Sequence, residues 1–331
     1  MAFPIGWTYR KPVTLSRASG AVTNYQMKIK VGESAGSGAN DVLATGCKTD
    51  FSDLRFTAAD GTTLLDYWIE SVSGTTPNQV ATIWIEFDSI GTGATTFYMY
   101  YGNSAASAVS SGASTFMAFD DIERGNNGDA IGGSWTVTAG ASTISTTQKY
   151  GGTRSQSQGA NSETRFPVTN SASIAIRWRC WKGNAATWQL IHGNGTKNAY
   201  VYLDNVENIQ TYDGSLHDTG VNISADTWAL LEVRNCNFSA GTFDLYHNDT
   251  LAVAGAAMWA NGSYSNIFRS SSSDAVSYTD DLLVRQFLAT EPAWGAWGGA
   301  ENISGPGTAT GLICFPQTEQ PYLEKNRIVG Y

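Results

Sequence analysis

The sequence predicts an all-β protein: two tandem antiparallel β-sandwich, jelly-roll-like domains followed by an extended C-terminal segment. Three observations carry this. The chain has 331 residues, more than one hydrophobic core usually organises. Hydrophobic residues make up 42% and charged residues only 15%, beside 35 glycines, which suits short strands with tight turns and disfavours surface helices. Short stretches of period-two alternation recur between turn signals, without heptads, solenoid repeats or long helical periods.

The first domain is read as residues 1–114. In Gln26-Met27-Lys28-Ile29-Lys30-Val31 the alternation places Met27, Ile29 and Val31 on the core face and turns Lys28 and Lys30 to solvent. Further strands are read at Leu54 to Thr57, Leu65 to Glu70, Ala81 to Phe87 and Thr96 to Tyr101. Turn signals at Asp60-Gly61, Ser73-Gly74 and Gly91-Thr92-Gly93 separate them. A small-residue run from Gly102 to Ser114 marks the boundary.

The second domain, residues 115–292, opens at Thr115 to Asp121 and closes at Tyr278 to Phe287. Between them, Ser173 to Trp181, Trp188 to His192, Ala199 to Leu203, Thr227 to Val233 and Thr242 to His247 have strand patterns. Residues 293–331 lack a pattern able to fold alone, yet Leu312-Ile313-Cys314-Phe315-Pro316 is too apolar for a linker. This segment is read as docking onto another copy or a neighbouring protein, with packing onto its own domain as the alternative.

Net charge is −9, so a nucleic-acid backbone or an anionic membrane is repelled on average, and no nucleic acid is expected as partner. The densest cations, Arg177 and Arg179 beside Lys182, fall in a strand. No run approaches the roughly 20 apolar residues of a membrane helix, so no membrane insertion is expected. Cys47, Cys180, Cys236 and Cys314 lack zinc-site spacing. Cys180 shares parity with Ile174, Ile176 and Trp178, whereas Cys236 shares it with Glu232 and Arg234, which favours free thiols over a Cys180–Cys236 disulfide.

Trp7-Thr8-Tyr9-Arg10-Lys11-Pro12-Val13, Ser52-Asp53-Leu54-Arg55-Phe56-Thr57, Leu65-Asp66-Tyr67-Trp68-Ile69-Glu70 and Tyr98-Met99-Tyr100-Tyr101-Gly102-Asn103 occur in order. Over roughly residues 5 to 120 this set resembles the family called domain of unknown function 2341, found in secreted prokaryotic and viral multidomain proteins. The resemblance implies kinship and no particular chemistry. Tyr150-Gly151-Gly152-Thr153-Arg154-Ser155, Asp226 to Val233 and Asp280-Asp281-Leu282-Leu283-Val284-Arg285 are similar to laminin-G or concanavalin-like jelly rolls. Members of that superfamily bind glycans, hydrolyse glucans or only mediate contacts, and fold alone does not choose.

For chemistry, a retaining glycosidase of this fold needs two carboxylates about 5 Å apart, supplied by a same-face Glu-x-Asp-x-Glu type run, which is missing. Asp204, Glu207 and Asp213 are read as solvated turn carboxylates. His192, His217 and His247 have no nucleophile-elbow or His-Glu-x-x-His context. No catalytic residues are therefore assigned, and the protein is read as no enzyme. In the first domain Asp53, Arg55, Asp66 and Glu70 offer a polar site, with Arg55 pairing a carboxylate to fix strands as the plainer role.

Sugar recognition needs aromatic platforms flanked by amides and carboxylates. Trp181 with Asn184, Trp188 with His192 and Asn194, and Tyr200, Tyr202, Asp204 and Tyr212 lie on or beside strands that would line one sheet; the plainer reading is core. No cofactor is required. Calcium is the metal best suited, at Asp120, Asp121, Asp280 and Asp281, where the terminal strands of the second domain would meet; the alternative is strand-end residues in solvent or capping turns.

Residues Met1 to Trp7 carry neither a cationic lead nor an apolar core of signal-peptide length. Either a signal has been removed or the protein reaches the exterior otherwise; joined to the tandem exterior-type sandwiches and the docking segment, this leads to the expectation of a virion surface protein made in a host cytoplasm: a phage or archaeal-virus tail appendage, fibre component or head decoration. Its partners would be host-surface glycans and, through residues 293–331, other virion proteins or its own copies. A purely structural cement, a cellular extracellular adhesin and, more distantly, a glycan hydrolase are the competing expectations.

Overall fold

The computed structural model describes residues 5–304 except 19, 170, 183–186, 205, 207, 225, 262, 263, 266 and 273–275. Within them the alternating stretches are strands. The first unit holds β1 (Tyr9–Arg17), β2 (Tyr25–Gly32), β3 (Val42–Leu43), β4 (Arg55–Thr57), β5 (Leu64–Leu65), β6 (Tyr67–Ser73), β7 (Val80–Phe87) and β8 (Gly93–Tyr101). A single helical turn, α1 (Gly112–Thr115), capped by the Ser111 hydroxyl, leads onward.

The second unit begins with β9 (Ala118–Asp120), β10 (Thr136–Ala139), β11 (Ser142–Ser145), β12 (Ser155–Gln158), β13 (Ser162–Pro167), β14 (Ile174–Lys182), β15 (Thr187–Gly193) and β16 (Asn198–Leu203). It continues through β17 (Asn208–Tyr212), β18 (Leu216–Asn222), β19 (Thr227–Asn237), β20 (Thr242–His247), β21 (Thr250–Ala257), β22 (Ile267–Ser272) and β23 (Ser277–Gln286). Then β24 (Ala293–Trp297) and β25 (Glu301–Asn302) follow.

In the first unit a sheet ordered β24-β1-β8-β4-β5, with β25 also on β1, faces a four-stranded sheet ordered β3-β2-β7-β6. Leu15, Tyr25, Ile29, Val31, Ile83, Phe87 and Met99 fill the space between them. The alternation of β2 is as read for Met27, Ile29 and Val31, all buried. The start of the supposed docking segment is corrected. Trp297 pairs with Val13 and Trp294 with Leu15, and both indoles pack on this core, so residues 293–302 return to the first unit and the second unit is inserted between β8 and β24. Leu312 to Pro316 lie outside the described residues.

The second unit stacks a seven-stranded sheet, β10-β13-β22-β15-β16-β17-β18, on an eight-stranded one, β11-β12-β23-β14-β19-β20-β21 with β9 on β23. Their inner rows make one core around Trp178, with Ile176, Val201, Leu231, Phe243 and Phe268. Burying each such side chain contributes about 1.5–3 kcal/mol. Cys180 lies in this core as its parity implies. Cys236 lies there too, against its apparent parity: a register shift between Arg234 and Asn237, with Asn235 at φ +56°, turns the thiol inward. Cys47, Cys180 and Cys236 are free thiols.

The outer row of the four-stranded sheet faces the outer row of the eight-stranded sheet, so Lys28 meets the second unit instead of open solvent. Trp68, Trp84, Phe116 and Leu283 form the apolar part of the contact. Its polar part is a chain of ion pairs, buried at Glu70, Arg177, Glu232 and Arg285 and half exposed at Asp249. The Glu70 carboxylate accepts from Arg177 and Arg179, at 3.0 Å each, and from the Trp84 indole at 2.9 Å. Glu232 accepts from Arg285 at 2.8 Å and from Arg177 at 3.3 Å. Asp249 bridges Arg177 at 2.5 Å and Lys28 at 2.7 Å. The tight turn between β20 and β21 places it there, with Asn248 and Asp249 both left-handed at φ +47° and +64°.

Candidate glycan-binding face

The other face of the second unit, the outer row of the seven-stranded sheet, is built by β16 and β17. In β16, Ala199, Val201 and Leu203 are committed to the core, so Tyr200 and Tyr202 take the outer row. Tyr202 is paired with Gln210 of β17, which sets Asn208, Gln210 and Tyr212 on the same side. A hairpin joins the two strands, and Asp204 fastens it. Its carboxylate accepts from the Val206 and Asn208 amides at 2.9 and 2.8 Å and from the Asn208 side chain at 2.8 Å.

Trp259 completes the face. It belongs to no named strand, but its backbone exchanges two 2.9 Å hydrogen bonds with Asn198 at the start of β16. The rings of Tyr200, Tyr212 and Trp259 then meet edge to face, every pair of centroids 5.5 Å apart. Tyr200 is 6% exposed and acts as the floor; Tyr212 and Trp259 are half-buried. Beside them Gln210 leans its amide nitrogen to Asp204 at 3.5 Å, and its buried carbonyl oxygen makes no hydrogen bond among the described atoms. An aromatic surface with a hairpin-held carboxylate and side-chain amides at its edge is the kind that stacks a pyranose ring.

Of the residues singled out from sequence, the structure brings Tyr200, Tyr202, Asp204 and Tyr212 together. Asp204 is 8% exposed and hydrogen-bonded, not the solvated turn carboxylate expected. The β15 position of Trp188 pairs with Tyr202, although its side chain lies outside what is described. Asn184 lies outside the described residues. Three others do not join. Trp181 is on β14 of the opposite sheet, edge-on to Tyr278. His192 is fully buried, its Nε2 2.7 Å from the Ser171 carbonyl, because a register shift between Leu190 and His192 turns it inside. Burial pushes its pKa down. Asn194 closes its own turn, accepting from the Thr196 and Lys197 amides. Trp259 and Gln210 escaped the sequence reading; a lone Trp between Met258 and Ala260, outside any alternating run, gave no signal of its partner strand.

The terminal strands do meet, with Asp120 opposite Leu282. The Asp120 carboxylate is taken by the Trp135 indole at 2.8 Å and Arg124 at 2.5 Å. Asp280 accepts from the Tyr150 amide at 2.9 Å. Burial raises the pKa of Asp280, Asp281 and Asp121. Among the described residues no group of three or more His, Cys, Asp or Glu is placed to hold a metal ion.

The polar set of the first unit is dispersed. Arg55 does not pair with a carboxylate; it donates to the Ser52, Leu54 and Ser107 carbonyls and lies under Trp7. Asp53 holds the amides of Lys48, Gly102 and Asn103, tying two loops to the end of β8. Glu70 is in the inter-unit contact, and Asp66 stands with Glu86 and Asp88. No helix among the described residues is long and apolar enough to cross a membrane.

Residues 50–138 match the family model "Domain of unknown function (DUF2341)". That span covers the later strands of the first unit and the entry to the second. No curated protein matches the chain in sequence. Among solved structures, the chain is similar to a carbohydrate esterase from the Shiga toxin-encoding bacteriophage phi24B, at 10% identity and TM-score 0.36, over 46% of this chain and 90% of that one. It is similar to domain 4 of a GH43 extracellular arabinanase from Geobacillus stearothermophilus, at 15% identity and TM-score 0.33, over 47% and 84%. The tandem CBM22 domains of Paenibacillus barcinonensis Xyn10C align over 86% and 80%, at 8% identity and TM-score 0.29. These neighbours are carbohydrate-active or carbohydrate-binding β proteins, and at such scores nothing about the chemistry of this chain follows from them.

Proposed function

We propose that the outer face of the seven-stranded sheet binds glycan without cleaving it. The Tyr200–Tyr212–Trp259 cluster carries the reading: three rings packed at equal 5.5 Å spacings on a face that the first unit leaves uncovered. Tyr212 and Trp259 offer the stacking surface, and Tyr200 holds both in place. Asp204 is fastened by its own hairpin, which supports a positioning role over proton transfer. The ligand class is a neutral glycan, because Asp204 and Asp218 on this face disfavour a second negative charge.

The setting we propose is the exterior of a virus particle, in contact with host-surface glycans. Support comes from the exterior-type sandwich architecture and from the resemblance of the first unit to a family of secreted and viral proteins. Repeated weak sites on one particle gain about 10²–10⁴ in avidity. The test is a glycan array with the full chain, the Trp259→Ala and Tyr212→Ala variants, and a reducing-end assay on every glycan bound. Binding that falls at least tenfold in both variants at unchanged melting temperature is expected. Equal binding by the variants would remove the site, new reducing ends would make the protein an enzyme, and immunolabelling of a cell envelope instead of particles would remove the virion setting.

A further inference from the structure

A cleft of about 340 Å³ opens where the two units meet, at the lower end of the ~300–1,000 Å³ range of small-molecule sites. The first unit lends it Lys28, Trp84 and Trp294, and the second Arg234, Tyr246, Asp249, Arg285 and Glu291. Two guanidinium groups converge there on one carboxylate. Arg285, buried, donates to Glu291 at 2.9 Å. Arg234 lies over the Tyr246 ring, 3.5 Å from its centroid, with Glu291 4.0 Å away. The Arg285 Nε, buried, makes no hydrogen bond among the described atoms. Glu291 itself is 40% exposed and sits on the short connection between β23 and β24.

A half-exposed carboxylate held by two arginines occupies the position in which a ligand carboxylate would be bound. We propose that this cleft binds an acidic sugar, whose carboxylate displaces Glu291 from Arg234 and Arg285. The planar fork of each guanidinium suits a carboxylate. Trp294 and the Arg234–Tyr246 stack offer surfaces for the ring. Asp249, half exposed, accepts from ring hydroxyls. A doubly charged phosphate would be repelled by Glu232 and Asp249, whereas a singly charged sugar acid replaces the charge that leaves with Glu291.

The site is separate from the seven-stranded face, so the two readings fail independently. Calorimetric titration of the full chain with glucuronate, glucose and acetate tests it, with Arg234→Ala, Glu291→Gln and Trp259→Ala beside the natural sequence. Glucuronate should bind, Glu291→Gln should tighten its Kd about tenfold by removing the competitor, and Arg234→Ala should weaken it at least tenfold. Trp259→Ala should leave it unchanged. Arg234 is 20% exposed, and a melting temperature confirms that its variant is folded. No glucuronate binding by either the natural chain or Glu291→Gln would overturn the proposal. So would an unaffected Arg234→Ala, equal binding of glucose, or acetate binding as tightly as glucuronate.

Discussion

The two outer faces of the second unit follow the same strand code and end in opposite environments. On the eight-stranded sheet the outer row is Arg177, Arg179, Glu232, Leu283 and Arg285; on the seven-stranded sheet it is Tyr200, Tyr202, Gln210 and Tyr212. The charged row is the buried one. Arg177 is 2% exposed and Arg285 3%, since the first unit lies over them, while the aromatic row keeps Tyr212 and Trp259 partly in water. Charge along a strand therefore does not mark the wet face of this molecule. It marks the face whose complement, Glu70, Lys28 and Trp84, lies more than 90 residues earlier in the chain.

Breaking the buried row should have the largest effect. Arg177→Met leaves Glu70, Glu232 and Asp249 facing one another without their common partner, and removing one member of such a network costs about 3–5 kcal/mol. Urea unfolding of the full chain measures it. A loss under about 1 kcal/mol would mean that this face is not covered as described. The pair energies also predict an acid limb. Burial alone would raise Glu70 and Glu232, but Arg177 and Arg179 at Glu70, and Arg285 and Arg177 at Glu232, bring both below the ordinary carboxylate range. Their folded pKa values are lowered, so their contribution is present above the ordinary value of 4.5 and is lost as pH falls below it. In Arg177→Met this acid-induced loss should shrink.

On the uncovered face the same kind of truncation should cost less stability and more binding. Trp259→Ala removes a half-buried ring attached to the sheet by backbone bonds that the substitution leaves in place, so about 1–2 kcal/mol is expected, against at least tenfold in glycan affinity. Thermal unfolding beside the array separates the two. A stability loss as large as that of Arg177→Met would show that the ring is core and not platform.

Much of the fold was legible because inward rows obey local rules: Met27-x-Ile29-x-Val31 and Ile174-x-Ile176-x-Trp178-x-Cys180 alternate without interruption. Two bulges defeated the same rule further on. The shift at Asn235 turned Cys236 inward, and the one between Leu190 and His192 did the same to the imidazole, each by one residue, which is enough to exchange faces. The site was half legible. Tyr200, Tyr202 and Tyr212 share a face by alternation in neighbouring strands, but Trp181 has identical local character on the other sheet, and Trp259 arrives through a bridge that no spacing reveals. The fate of Lys28, and the return of residues 293–302 to β1, depend on contacts between distant parts of the chain, which alternation cannot encode.

The smallest effect expected concerns an outer row that carries charge on the first unit itself. Glu86 of β7 stands beside Asp66 and Asp88; burial, then those two charges, push its pKa up to about 7. Raised in the folded state above the unfolded value of 4.5, it makes the folded protein hold the proton more tightly. Stability attributable to this carboxyl is therefore present at low pH and declines as pH rises from about 4.5 through about 7. Glu86→Gln should raise the melting temperature at pH 8 and leave it nearly unchanged at pH 4. Because the side chain is only partly buried, solvent screening holds the gain to about 1 kcal/mol or less. Thermal scans at the two pH values check it. A gain at pH 4 equal to that at pH 8 would assign the effect to packing, and would place this row with the aromatic face, where shape decides, instead of with the buried ion pairs, where charge does.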